Sequence, residues 1–413
     1  VLPNGLRLLV REDARLPLVS IYSTFRGGLL AETAKDNGVT KLMARTMLKG
    51  TKTRTASQIA GQIEDVGGSI GADAGNNSFS ISADVMKPDL ALGLDILADV
   101  IKNPTFPAGE VDLEKRGLLA AIKAEDEQPT AVARNAMRRS LFGSHPYSLR
   151  ANGSAESVAS LTPEQLKAFH DEYAVGANGV IAVFGDVKAE EVLKLVEKDF
   201  GSLPAGKLAL TDPPQPVFPD KAIDTQENRP KQQAVLMFGF PGADILSNDR
   251  SALELINEAS NDLGSRFFNR IREQMGLAYY VGAGNFMGLA PGCFLFYLGT
   301  DPKKVDRVTV EFQDEIGKLA KDGLTEEELA RAKMKLIGSE AIRNQSNSAF
   351  AATVAIDELV GLGYDNYLKR KDQIESVTLE DTKRIAAKYL GVPGRVEVIV
   401  QPPAQAAANK PQQ

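Results

Sequence analysis

Short apolar-rich runs at residues 6–11 and 18–25 predict strands, and apolar positions recurring every three to four residues over 38–48 and 57–66 predict helices. Residues 77–85 alternate apolar and polar and predict another strand. Helix then dominates: 88–102 carries Leu90, Leu94, Leu97 and Ile101 on one face, and a long helical stretch runs from 109 towards 124. Thr162 has the chemistry of an N-cap, with Pro163 at the first helical position and acidic or amide side chains behind it, and a strand follows at 179–184. After a proline-dense stretch the order recurs: strand 234–240, helix 249–272, strand 293–299, helix 305–321 and a further helix from 325.

The recurrence has a fixed offset. Ser160-Leu-Thr162 and Ser376-Val-Thr378 each open a helix that ends near a tyrosine, Tyr173 or Tyr389, and each leads into a strand at Val180 or Val396. Every pair is 216 positions apart, which indicates a duplicated unit. The predicted fold class is α+β: two homologous α/β-sandwich domains, each a mostly antiparallel sheet covered by helices, with a doubly wound fold as the alternative. The expected division is an N-terminal domain over 1–203, a Pro-rich linker over 204–230, a C-terminal domain over 231–401 and a disordered tail over 402–413.

Composition narrows the function. With 48 Lys+Arg against 54 Asp+Glu, the net charge of −6 provides no basic face, so a nucleic-acid partner is not expected. Cys293 is the only cysteine, which excludes an internal disulfide framework and a zinc ribbon. No run approaches the ~18 apolar residues of a membrane span. The chain starts at Val1 on strand-like sequence, so a removed leader and a periplasmic location are expected, with the cytoplasm as the alternative.

Gly38-Val-Thr-Lys-Leu-Met-Ala-Arg-Thr-Met-Leu-Lys-Gly-Thr51 resembles the zinc-binding helix of the insulinase/pitrilysin metallopeptidases, which include the mitochondrial processing peptidase and show G-x-A-H-x-x-E-H-x-x-F-K-G-T there. In that register the first ligand histidine falls on Lys41, the general-base glutamate on Ala44 and the second ligand histidine on Arg45. The third ligand, a glutamate about 76 residues further on, falls on Ala121. All four are substituted. A protonated lysine and an arginine have no lone pair for a metal and repel a dication. On their own Lys41 and Arg45 read as a solvated helix face, the alternative being a pair of cations that meets an acidic strip on a partner or substrate.

The resemblance runs through most of the chain and includes Arg26-Gly-Gly28 with Glu32 and Phe142-Gly-Ser-His-Pro-Tyr147. Ser265-Arg-Phe-Phe268 followed by Arg272-Glu-Gln-Met-Gly-Leu-Ala-Tyr279 is similar to the family's S-R-L-F and R-E-x-x-G-L-x-Y segments. It implies that Arg272 holds a substrate carbonyl and that Tyr279 donates to the oxyanion of the tetrahedral intermediate. By spacing alone the two read as a surface ion-pair arginine and a rim aromatic. Gly276 is expected to let the chain leave its helix so that Tyr279 begins a strand. The alternating strand 77–84 resembles the family's peptide-binding edge strand, although a structural strand is the reading preferred here. Asn257 to Gly264 holds one glycine, so the glycine-rich gating loop of mitochondrial non-zinc subunits is not expected.

Loss of the metal residues together with retention of the Arg/Tyr pair resembles the non-zinc subunit of a heterodimeric zinc endopeptidase. The resemblance implies a clam shell of two such chains, no cofactor in this one, zinc in a homologous H-x-x-E-H partner, peptides or unfolded proteins as substrate, and no peptidase activity alone. The alternatives are a catalytically silent scaffold or core subunit and a peptide-binding clamp.

Overall fold

The computed structural model describes residues 1–261 and 263–403, so the tail expected over 402–413 lies, from Ala404 onward, outside the described residues. In chain order the first half holds β1 (Arg7–Glu12), β2 (Leu18–Arg26), α1 (Val39–Met47), α2 (Ala56–Glu64), β3 (Ser69–Ala74) and β4 (Ser78–Met86). It continues with α3 (Leu90–Lys102), α4 (Ala108–Asp126), α5 (Pro129–Phe142), α6 (Ala155–Ser160), α7 (Pro163–Tyr173), β5 (Gly179–Gly185) and α8 (Ala189–Phe200). The second half holds β6 (Ile223–Asn228), β7 (Ala234–Pro241), α9 (Arg250–Ser260), a π-helical turn at Phe268–Gln274, β8 (Tyr280–Phe286) and β9 (Cys293–Thr300). It ends with α10 (Val305–Asp322), α11 (Glu326–Arg343), α12 (Asn347–Val360), α13 (Asn366–Glu375), α14 (Leu379–Leu390) and β10 (Val396–Gln401).

The strands form two five-stranded sheets, ordered β1-β5-β2-β4-β3 and β6-β10-β7-β9-β8. Only the β1/β5 and β6/β10 pairs are parallel; the rest are antiparallel. The repeat holds in register. Arg7 stands opposite Val180, and Ile223 opposite Val396, each 216 positions later. The helices that lead into β5 and β10 start alike, because Thr162 and Thr378 both make reciprocal capping boxes, with Gln165 and Asp381.

Two compact units follow the two sheets, but they are not the continuous spans 1–203 and 231–401. Unit 1 comprises Val1–Ile122, Leu149–Pro213 and Ala341–Lys369, while unit 2 comprises Lys123–Ser148, Pro214–Glu340 and the chain from Arg370. The physical reason is burial of both sheet faces. In β5, Ile181 and Val183 join the core formed with α1, α3, α7 and α8, whereas Val180, Ala182 and Phe184 point to the other face. That face is covered by α12, whose Ala351 and Ala355 are fully buried and whose Phe350 ring meets Phe184 edge-on at 5.5 Å. The second sheet is covered in the same way by α5, which lies on β7 and β10. There Gly239 leaves the space that Met137 fills; a Cβ on Gly239 would stand 2.5 Å from the Met137 side chain.

Three expectations need correction. The stretch 204–230 is not all linker, since 223–228 forms β6 and pairs along its length with β10; its polar alternation and flanking prolines hid it. The helix expected over 249–272 is broken. Helix α9 stops at Ser260 because Asn261 turns its amide onto the edge strand, where Oδ1 accepts from Ala283 N (2.8 Å) and Nδ2 donates to Ala283 O (3.0 Å). Finally, the strand at 77–84 is no edge, because β4 pairs with β2 on one side and β3 on the other, leaving no backbone groups for an added strand. Among the described residues no helix is long and apolar enough to cross a membrane.

Candidate functional site

The start of α1 is fixed by a buried carboxylate. Gly38 takes the left-handed φ of 96° that a side chain would resist. Glu32, 5% exposed, accepts from the N–H groups of Gly38 (2.7 Å) and Thr40 (3.1 Å) and from Asn37 Nδ2 (2.9 Å). These bonds satisfy donors that the first turn leaves open. Burial nevertheless pushes the Glu32 carboxyl above the ordinary range.

From that start, Lys41 and Arg45 fall one turn apart on the same face. Neither is a bare cation: Lys41 Nζ lies 2.5 Å from Asp73 Oδ1 on β3, and Arg45 Nε lies 2.8 Å from Glu114 Oε2 on α4. Lys49 Nζ shares Glu114 through Oε1 at 3.1 Å. Within unit 1, then, intramolecular carboxylates take the role expected of solvent or of a partner's acidic strip. Ala44 is fully buried among the core residues of α1, and Ala121 lies exposed two turns along α4 from Glu114. A family zinc does not fit this donor set: two positions are methyl groups and two are cations already engaged.

The two histidines are committed to backbone. His145 Nε2 donates to Pro214 O (2.9 Å) while Nδ1 accepts from Tyr147 N (3.1 Å), and burial lowers its pKa. His170 Nε2 donates to Ile101 O at 2.7 Å. Among the described residues no three His, Cys, Asp or Glu side chains are grouped so as to hold a metal ion.

In unit 2, Arg272 lies in the last turn of the π-helical segment and Tyr279 one residue before the edge strand β8. The connection between them is pinned. Gly276 adopts φ 60° as expected, Leu277 N donates to Ile271 O (2.9 Å), and Tyr279 N donates to Gly299 O (2.8 Å) on β9. Lys304 Nζ holds the Gly276 carbonyl at 2.8 Å. Outward from this anchored backbone, the Arg272 guanidinium lies 4.9 Å over the Phe268 ring and only loosely near Glu273, at 3.8 Å, and Tyr279 is 57% exposed. Both side chains are thus donors presented to solvent from a backbone that hydrogen bonds fix in place.

Sequence reasoning missed Asp73 and Glu114. Asp73 sits on β3, whose Ser-Ile-Gly-Ala-Asp-Ala stretch has little strand signal. Glu114 sits on a predicted helix where nothing marks which carboxylate meets Arg45.

Residues 8–152 match the model of the insulinase family (peptidase family M16), and residues 160–336 match that of the peptidase M16 inactive domain. The chain belongs to peptidase family M16. This M16 chain is 28% identical over 403 residues to an uncharacterized zinc protease of Streptomyces coelicolor, covering 94% of the chain and 86% of the relative. It is 26% identical over 386 residues to the uncharacterized zinc protease YmxG of Bacillus subtilis, covering 93% of each. Among solved structures it resembles a peptidase M16 inactive domain from Pseudomonas fluorescens, with a TM-score of 0.91, 27% identity and coverage of 99% and 98%. A protease from Helicobacter pylori shares the fold at a TM-score of 0.89 and 20% identity, over 97% and 98% of the two chains. The M16 chain therefore resembles proteins called zinc proteases while its own ligand positions carry no metal donors.

Proposed function

We propose that this M16 chain is the non-zinc subunit of a heterodimeric zinc endopeptidase that cleaves peptides or unfolded proteins. The reading rests on one contrast: the four family ligand positions are two methyl groups and two cations held by Asp73 and Glu114, whereas Arg272 and Tyr279 remain exposed on an anchored connection. The zinc belongs to a homologous partner with H-x-x-E-H. This chain supplies a guanidinium that holds a substrate carbonyl and a phenol that donates to the oxygen gaining charge in the transition state. A periplasmic location accords with the expected leader.

The test is to purify the chain with an M16 relative that carries H-x-x-E-H and to assay peptide hydrolysis with and without chelator. Chelator-sensitive hydrolysis that needs both chains supports the proposal. Hydrolysis by the partner alone at the same rate, or none by the pair, turns the reading to a silent scaffold.

A further inference from the structure

The two units differ at one place. In unit 1 the chain leaves β5 and returns as α8, which packs on α3 and β1 and buries Val192, Val196 and Phe200 completely. The residues after α8 continue this cover. Asn4 Nδ2 donates to the carbonyls of Phe200 (2.9 Å) and Leu203 (3.1 Å), while Gly176 N and Ala177 N, just past α7, donate to Pro204 O (2.7 Å) and Ala205 O (2.8 Å). Phe200 and Leu203 thereby close the space between the end of α3 and the end of α7.

No helix follows β10 among the described residues of unit 2, and the corresponding place is a groove of about 620 Å³. It runs between α10 and the end of α14, and its lining residues Gly391, Val392 and Pro393 stand 216 positions after Val175, Gly176 and Ala177. Phe238, Phe240, Ile316, Ala320 and Leu390 make it apolar; Lys321 and Arg395 make its rim positive. Where unit 1 has Ile181 in the core that α8 covers, unit 2 has Glu397, held by Gln313 Nε2 at 2.6 Å. The outer part of the place is therefore polar, and the apolar part has room for two anchors rather than a whole helix face. Residues 404–413 supply no large apolar side chain.

We infer that this groove docks the end of an amphipathic helix from a partner chain, with two large apolar residues three positions apart beside acidic ones. The pattern is that of Phe200 and Leu203 behind Glu197 and Asp199 in unit 1. Recognition is of the helix-in-groove kind, with apolar anchors giving affinity and the rim cations choosing an acidic flank.

The probe is a labelled synthetic peptide of residues 189–206 titrated into the full chain. Saturable binding is expected with a Kd on the order of 10–100 μM. It should be lost with the peptide bearing Phe200→Ala and Leu203→Ala, and should weaken at least about tenfold, or 1.4 kcal/mol, with Gly317→Phe in the protein. Gly317 lines the groove and a Cβ there meets nothing within 4 Å, so the new ring enters without a clash at its root. Lys321→Glu with Arg395→Glu should lower the affinity and remove its salt dependence. No saturable binding up to about 1 mM, or equal binding by all these folded variants, overturns the inference. So does a roughly tenfold gain in affinity on deleting 404–413, which would make those residues the occupant, or self-association that the peptide dissolves, which would make it a second copy.

Discussion

Arg45 binds Glu114 through Nε at 2.8 Å, at the helix position where the family pattern has its second ligand histidine. A cation that donates to a neighbouring carboxylate is the electrostatic inverse of an imidazole that donates a lone pair to a metal. The chain purified alone at neutral pH is expected to carry no stoichiometric zinc, checked by elemental analysis. Arg45→Met should cost about 0.5–1 kcal/mol in urea unfolding, less at high salt, because the pair is partly exposed. Stoichiometric zinc in the wild-type chain would contradict this.

Arg272→Ala and Tyr279→Phe should each lower the turnover of the assembled peptidase by about 10²-fold, the usual effect of removing one oxyanion donor. Because both side chains are exposed, the melting temperature of the chain and the zinc content of the complex should stay as they were. Parallel loss of stability and turnover would mark the two residues as packing.

Gly276 takes φ 60° at the exit from the π-helical turn. Gly276→Ala is expected to cost about 1 kcal/mol, while Gly276→Asn, which tolerates the left-handed region, should cost less. In the assembled enzyme the Ala variant should also slow turnover, since it strains the segment that aims Tyr279. Equal unfolding midpoints for Ala and Asn variants would remove the conformational argument.

Asp249 precedes α9, and although burial opposes its charge, hydrogen bonds from Lys388 Nζ (2.6 Å) and the Tyr389 hydroxyl (2.9 Å) hold its pKa below the usual range. A carboxyl with a lowered folded pKa stabilises above its unfolded value of about 3.9 and stops doing so as pH falls through the folded one. Asp249→Asn should therefore destabilise at pH 7, with the gap from wild type narrowing below about pH 4.

Asp199 has the opposite sign. It is 7% exposed, its Oδ2 has no hydrogen-bond partner, and burial, reinforced by the charge of Asp95, raises its pKa. Its ionised form destabilises the fold above that raised pKa, and the penalty fades as pH falls through it. Asp199→Asn is expected to raise the melting temperature at pH 7 and to make little difference near pH 3. A drop at pH 7 would show that the charge serves a contact the carboxyl needs.

Much of this was legible in the residues. The 216-residue offset anticipated paired strands and twin capping boxes, since both depend on local chemistry that duplication preserves. The degenerate zinc helix was readable for the same reason, a fixed spacing on one helix. What sequence could not give was long-range pairing. β6 is polar on alternate positions and hides among prolines, because a strand held by β10 needs little hydrophobicity of its own. Asp73 and Glu114 are ordinary surface carboxylates until the fold places them beside α1. Nothing in the alanine-rich face of α12 indicates which sheet it will cover.

That last helix has a consequence for synthesis. When the ribosome has released residue 203, every strand of the first sheet exists, yet Val180, Ala182 and Phe184 have no lid until residues 347–360 emerge. A nascent or truncated chain ending in the proline-rich stretch would expose an oily sheet surface, so the halves are not separable genetic modules. A chaperone that shields that surface during the intervening translation is the natural companion of such an architecture.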